Sequence, residues 1–228
     1  MIDYGLDGIE TVGYVTKGVI TLVTFLMLFS LGVRSKLTHV DLTEEVEELK
    51  FALSSHPEII NKTEQFIKNH WISILGTQTS YFCGVNANYG TALEAALKFG
   101  ETVLVPSIAF ELEEYIHGPN LQLSPNYTVF IFGNGDHTNE RSATIYEATK
   151  KVSDDVYYIT SNQKFEGYDG NTLVVPHVSE EVNPLVFLPV IQTIAAQVSG
   201  FLSRKQHSLL SEFKDIAKSK SDNYVDND

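Results

Sequence analysis

Three titratable residues, Glu94, Lys98 and Glu101, stand at positions i, i+4 and i+7 of a stretch with helical apolar spacing. This spacing places their side chains on one stripe of an α-helix. His117 follows sixteen residues after Glu101, in a His-Gly-Pro sequence that is typical of a loop. A carboxylate that can remove a proton next to a carbonyl group is a common general base. The first hypothesis is therefore a carboxylate base beside a ligand pocket, with a histidine entering from a loop.

Simpler structural roles also fit these residues. Glu94 and Lys98 have the spacing of a solvent-exposed ion pair, which stabilises a helix by about 0.3 kcal/mol. His117 before Gly118 is typical of a helix C-terminus, where an imidazolium complements the helix dipole. Glu101 is harder to explain in this way, because the same dipole disfavours a carboxylate near a helix C-terminus. The spacing alone leaves both interpretations open.

The composition excludes several classes of function. The 228 residues include 29 acidic and 16 basic side chains, a net charge of -13 that repels nucleic acid and anionic lipid surfaces. Cys83 is the single cysteine and cannot form an internal disulfide. This favours a location in the reducing cytoplasm. The histidines lack metal-ligand spacing, and no phosphate-binding or dinucleotide-binding glycine motif occurs. We therefore expect no nucleic-acid partner, no metal and no cofactor.

The longest apolar run, residues 19–33, predicts a buried helix rather than a membrane span. Its fifteen residues would extend roughly 22 Å as a helix, less than the ~30 Å hydrocarbon core of a bilayer. No basic region precedes it, as a signal peptide would require. The pattern predicts a helix from Thr16 to Leu31 that ends at Gly32 inside a soluble protein.

From Ser80 onward, strand and helix signals alternate. The predicted strands are 80–85, 102–106, 128–132, 156–160 and 172–176, and the predicted helices are 91–100, 109–117, 139–152 and 185–202. Apolar strands separated by helices are typical of a three-layer α/β fold with a doubly wound parallel sheet. Such sheets bind ligands at the carboxyl ends of their strands, where residues 84–90 would lie. The segment 133–139, which contains two glycines, is a second, weaker candidate for anion binding. A glycine pair of this kind usually forms only a turn.

The stretch 92–101, followed by 114–119, resembles a known family. It is similar to the second sugar isomerase (SIS) domain of glucosamine-fructose-6-phosphate aminotransferase and of the fructosamine deglycases. Residues 10–17 and the apolar helix after them resemble the end of the first SIS domain in those enzymes. The resemblance implies a remnant of a first SIS domain with a linker (1–50), a second SIS domain (51–205) and a C-terminal tail (206–228). The chain would then correspond to a carboxyl-terminal half.

The resemblance also implies roles for individual residues. Glu101 would shuttle a proton between C1 and C2 of an opened sugar, and His117 would serve ring opening, often from the neighbouring subunit. Residues 216–219 resemble the segment that closes over the sugar, which would place Lys218 at the carbonyl group. The residues expected to line the sugar are Gly13, Thr16, Glu94, Lys98 and Ala217.

The function implied is isomerisation or deglycation of an amino sugar or fructosamine phosphate through an enediol or enolamine. One departure weakens it: the family's phosphate-binding Ser/Thr-rich loop is absent, and residues 157–162 match it only in composition. A non-catalytic module that binds a phosphosugar is therefore the chief alternative, and a structural subunit is a third. We expect a sugar phosphate as ligand and a homodimer, since fifteen preceding residues cannot cover so apolar a helix.

Overall fold

A computed structural model describes residues 16–135, 139–203 and 210–217. Its centre is a sheet of five parallel strands in the order β2-β1-β3-β4-β5. The strands are β1 (Thr79–Gly84), β2 (Ser107–Glu111), β3 (Tyr127–Gly133), β4 (Asp155–Thr160) and β5 (Thr172–Val174). The chain runs from β1 to β2 on one side and returns to β3 on the other, so the order reverses between β1 and β3. The predicted doubly wound α/β fold is confirmed.

Nine α-helices surround or precede the sheet in the described residues. They are α1 (Lys17–Thr38), α2 (Thr43–Ser54), α3 (His56–Asn69), α4 (Trp71–Leu75), α5 (Ala87–Lys98), α6 (Leu112–Ile116), α7 (Asn139–Thr149), α8 (Asn183–Leu202) and α9 (Leu210–Ala217). A π-helical turn, Phe99–Val103, continues α5, and two short 3₁₀ turns occupy Pro119–Gln122 and Gln163–Phe165.

The alternation of side chains along the strands divides the interior into two cores. In β1, Phe82 faces the core formed with α2, α3, α5 and α8, whereas Tyr81 and Cys83 face the core formed with α6 and α7. Successive strand residues point to opposite faces, so one strand contributes to both cores. Because β1, β3 and β4 are covered on both faces, these strands are apolar almost throughout. Burial raises the pKa of the Cys83 thiol, which keeps it protonated.

The central helix of the larger core, α8, contains Pro189 and receives a compensating hydrogen bond from a histidine. Proline has no N–H, so the carbonyl of Leu185, four residues earlier, lacks its usual helical partner. The Nε2 atom of His56 lies 2.8 Å from that carbonyl oxygen. Burial lowers the pKa of His56. A neutral imidazole protonated on Nε2 therefore donates the hydrogen bond that the helix cannot make.

The prediction for the N-terminal helix is wrong in length and in burial. α1 continues through Gly32 to Thr38, and of its residues only Gly18 is buried. One stripe of α1 packs against the larger core, formed by Ile20, Val23, Met27 and Leu31. Its opposite face carries large apolar side chains that are 42–60% exposed. By length and composition α1 and α8 are the two described helices that could span a membrane, and α8 is mostly a core helix.

The second predicted strand is also wrong. Residues 102–106 lie in the π-turn and the loop after it, and β2 occupies Ser107–Glu111, where a helix was predicted. The cause is that α5 does not end at Gly100 but widens into the π-turn, closed by Leu104 in the left-handed conformation (φ 60°, ψ 45°). The strand begins only after this turn. The following helix, α6, is reduced to five residues.

Candidate functional site

The structure brings Glu94, Lys98 and Glu101 together at the C-terminal end of α5. The Nζ atom of Lys98 donates to Oε2 of Glu101 at 2.8 Å and lies 3.6 Å from Oε1 of Glu94. The Lys98 side chain is only 4% exposed, that of Glu94 is 16% exposed and that of Glu101 is 37% exposed. A buried ammonium group therefore lies between one largely buried carboxylate and one carboxylate that reaches solvent.

The π-turn sets the position of Glu101. Its ends are anchored by Phe99 and Val103, both buried in the larger core, and its middle residues face outward. Leu104 N–H donates to Phe99 O at 3.0 Å, which closes the wide turn. The Thr102 hydroxyl donates to Lys98 O at 2.7 Å. π-Helical turns inside helices are frequent at functional sites.

Burial determines the electrostatics of this cluster. Desolvation raises the pKa of Glu94, and the Lys98 ammonium opposes that rise only in part. Oε1 of Glu94 is inaccessible to solvent and makes no hydrogen bond with any described residue. The cluster thus contains a buried carboxyl group whose pKa is raised by desolvation, beside an accessible carboxylate that is paired with a cation. Such a pair can accept and return a proton.

The cluster does not lie at the glycine-containing loop where a ligand was predicted. Residues 84–86 follow the carboxyl end of β1, and α5 then runs back across the sheet for twelve residues, roughly 18 Å. Lys98 and Glu101 are consequently near the amino ends of the strands. Residues 84–86 and Glu101 therefore lie at opposite ends of α5.

Side chains fill the carboxyl edge at the point where the strand order reverses. Asn88 Nδ2 donates to Asn134 Oδ1 at 2.6 Å, and Asn183 Nδ2 donates to the same oxygen at 3.2 Å. A Cβ added at Gly84 would lie 2.1 Å from Asn88 O, so the backbone is packed there. The loop therefore presents no open cradle for an anion. Of the alternative segment 133–139, residues 136–138 lie outside the described part of the chain.

His117 lies on the other side of the sheet from the cluster. It follows α6, whose Leu112 and Tyr115 belong to the smaller core, whereas α5 covers the larger core. Its N–H donates to Glu114 O at 3.1 Å, as expected at a helix C-terminus. No hydrogen bond or ion pair between described residues joins His117 to the cluster of Glu94, Lys98 and Glu101. Within one chain, His117 therefore has the place of a residue at a helix C-terminus.

Two of the remaining predicted residues, Thr16 and Ala217, fall within the described part of the chain. Thr16 precedes α1, and its carbonyl accepts a long hydrogen bond of 3.4 Å from Gln192 of α8. Ala217 is the exposed last residue of α9. Gly13 and Lys218 lie outside the described residues. In the described ranges no group of three His, Cys, Asp or Glu side chains is placed to hold a metal ion.

The sequence did not predict one residue of this site, and it suggested one phosphate-binding segment that is buried. Thr102 belongs to it through its bond to Lys98 O, and a hydroxyl three to four residues after a helical carbonyl is the signal that points to such a bond. The segment 157–162 was the nearest match to a phosphate-binding loop, but Thr160 and Ser161 are fully buried at the end of β4. Their hydroxyl groups are not accessible to a phosphate.

Comparisons with known proteins agree with the fold. No protein family model matches the chain. The glutamine–fructose-6-phosphate aminotransferase (isomerizing) of Thermotoga maritima is 25% identical over 178 residues, 76% of this chain and 29% of that protein. The chain therefore spans under a third of that relative.

Two solved structures share the fold. A Clostridium difficile protein described as a candidate phosphosugar isomerase has a TM-score of 0.79 and 21% identity, covering 90% of this chain and 60% of that one. The C-terminal domain of glucosamine-fructose-6-phosphate aminotransferase from Francisella tularensis has a TM-score of 0.74 and 18% identity, covering 87% and 57%.

The chain therefore has the α/β fold of the sugar isomerase (SIS) class and is similar to that class in sequence. Within that class, the chain resembles the isomerase part of glucosamine-fructose-6-phosphate aminotransferase.

Proposed function

We propose that the chain is the carboxyl-terminal SIS part of a phosphosugar isomerase or deglycase, with Glu101 as the base. The observation that carries this proposal is the Lys98–Glu101 contact of 2.8 Å, in which a buried cation holds an accessible carboxylate at the end of α5. A carboxylate fixed in this way can remove a proton from one sugar carbon and return it to the adjacent carbon. The carbonyl group moves by one position, and the reaction needs no external oxidant or reductant.

Lys98 and Glu94 would support the step from either side. The ammonium of Lys98 can stabilise the negative charge that develops on the sugar oxygen as the enediol or enolamine forms. Glu94, with its raised pKa, can hold a proton without adding a second negative charge to the pocket. His117 would act on the site of a neighbouring subunit, since α6 directs it to the other side of the sheet. We therefore propose a homo-oligomer in which two chains contribute to each site, and a cytoplasmic location.

Substitution of Glu101 by Gln tests the catalytic role. The amide keeps the shape and removes the base, so exchange of the sugar C1 or C2 proton with solvent deuterium should fall by about 10²–10⁴-fold. The exchange is followed by NMR with fructose 6-phosphate and glucosamine 6-phosphate, for the chain alone and mixed with the first SIS domain of a relative.

Glu47→Gln is the matched control, because Glu47 also pairs with a lysine three residues away, Lys50 at 2.6 Å, but on the exposed face of α2. It should leave exchange unchanged. Exchange that survives Glu101→Gln at the original rate would show that another group is the base.

A non-catalytic phosphosugar-binding module is the second candidate. It is favoured by the burial of Thr160 and Ser161, which leaves the described residues without a hydroxyl-rich phosphate loop. If this alternative is correct, the unsubstituted chain shows no proton exchange even with a first SIS domain present, yet it still binds a sugar phosphate weakly. Calorimetric titration measures this binding, and the proton-exchange experiment distinguishes the two candidates.

A further inference from the structure

A groove of about 380 Å³ opens between α3, α4 and α8, away from the acidic cluster. It is lined by Glu64, Ile67, Lys68, Trp71 and Gln197. Both α3 and α5 pack against α8, so the groove lies on the α3 side of α8 and Glu101 on the α5 side. The volume is in the range of small-molecule sites, roughly 300–1,000 Å³.

Two charged groups in this groove are unpaired in spite of favourable spacing. Glu64 and Lys68 are one turn apart on α3, in the order that normally forms an ion pair. Glu58 and Lys62, earlier on the same helix, have the same spacing and do pair, at 3.3 Å. Among described residues Lys68 makes no ion pair, and the Glu64 carboxylate accepts only a long bond of 3.4 Å from Gln197.

The floor of the groove is apolar. Ile67 is buried, and the half-buried indole ring of Trp71 packs edge-to-face against Phe201 at 4.9 Å between ring centroids. The groove therefore offers one carboxylate, one ammonium group and an apolar surface between helices. A phosphate group suits it poorly, since the single cation is one turn from a carboxylate that would repel a dianion.

We propose that this groove binds a zwitterionic amino acid with an apolar side chain. Its ammonium group would contact Glu64, its carboxylate would contact Lys68, and its side chain would pack on Ile67 and Trp71. Charge-assisted hydrogen bonds at both ends would fix the orientation of the ligand. The proposal is independent of the reaction assigned to Glu101.

The groove contains its own reporter, because Trp71 is the only tryptophan in the chain. Titration with L-leucine should change the Trp71 fluorescence in a saturable way. Two analogues test each charge: 4-methylpentanoate lacks the ammonium group, and 3-methylbutylamine lacks the carboxylate. Each should bind about tenfold more weakly or worse, the effect of losing one charge-assisted contact.

Substitutions test the same contacts from the protein side. Glu64→Gln and Lys68→Gln should each weaken L-leucine binding by about tenfold. Glu58→Gln and Lys62→Gln change the paired residues of the same helix and should leave binding unchanged.

Three outcomes would overturn the proposal. They are no saturable change up to about 50 mM L-leucine, binding of either analogue as tight as that of L-leucine, and equal effects of the test and control variants. The analogues use the unsubstituted chain, so the test survives a variant that fails to fold.

Discussion

Lys98 is the residue on which both the stability and the proposed chemistry of the cluster depend. Its side chain is almost completely buried, and both of its ionic contacts are with carboxylates, Glu94 and Glu101. An ion pair in such a setting does not necessarily stabilise a protein, but removal of one partner leaves the other charge desolvated. Without Lys98 this desolvation would act mainly on Glu94, because Glu94 is the more buried of the two acids.

Lys98→Met should destabilise the fold by about 2 kcal/mol at pH 8, less than for a fully buried pair because Glu101 is partly solvated. The loss should be smaller at pH 5. The pKa of Glu94 is raised in the folded protein, so the folded state keeps this proton longer than the unfolded state. Stability therefore falls as the pH rises above the ordinary value near 4.5, and removal of the cation extends this fall to higher pH.

Urea unfolding at the two pH values measures this difference. Lys50→Met is the control, because Lys50 pairs with Glu47 on an exposed surface, and it should show little change at either pH. Equal destabilisation by Lys98→Met at pH 5 and pH 8 would show that Glu94 does not depend on Lys98.

At the scale of elements, helix α8 connects the N-terminal helices to the sheet, and the His56–Leu185 bond is the polar contact that compensates for Pro189. His56→Ala should cost about 1–2 kcal/mol, because it leaves a half-buried carbonyl without a donor. In a Pro189→Ala background the cost should shrink, since residue 189 then supplies the helical N–H itself. A double-mutant cycle by urea unfolding measures the coupling. Additive effects would mean that His56 stabilises α8 by packing alone.

Elements were predictable where local pattern and tertiary context agree. The strands near 80–85, 128–132 and 156–160 were identified correctly, because fully buried strands read as continuous apolar runs. Residues 102–106 have the same apolar character but lie in a π-turn and loop. No periodicity signals a π-turn, and Leu104 in a left-handed conformation is not a residue that predicts a helix end. The i, i+4, i+7 cluster was identified because contacts within one helix follow from spacing alone.

The relation of that cluster to the rest of the site was not predictable in the same way. Its distance from residues 84–90 depends on the direction of α5 across the sheet, and the position of His117 depends on which face α6 covers. Both are properties of the whole molecule. The prediction that α1 is buried was wrong for a related reason. An apolar sequence indicates that a surface is to be covered, but it does not indicate what covers it.

At the scale of the whole molecule, the outer face of α1 is an exposed apolar surface. Leu22, Leu26, Phe29 and Val33 stand at i, i+4, i+7 and i+11 and are each 42–60% exposed. This spacing is that of a stripe suited to pack against another helix. The inner stripe, which contains Met27, already packs against α8 and α2. The net charge of -13 opposes association with anionic membranes. The apolar stripe can pack against the same stripe of a second copy of the chain, which is the partner that we expect.

We therefore predict a dimer whose interface includes the outer stripe of α1. Leu26→Gln combined with Phe29→Gln should convert the dimer to a monomer without lowering the unfolding temperature of the monomer, because these side chains are 52% and 60% exposed in one chain. Met27→Gln is the contrasting variant and should destabilise the fold itself, since Met27 packs against the larger core. Sedimentation velocity across micromolar concentrations measures the first effect and thermal unfolding the second. A monomer at every concentration for the unsubstituted chain would remove the second copy as the cover of α1, and would also remove the route by which His117 reaches a neighbouring site.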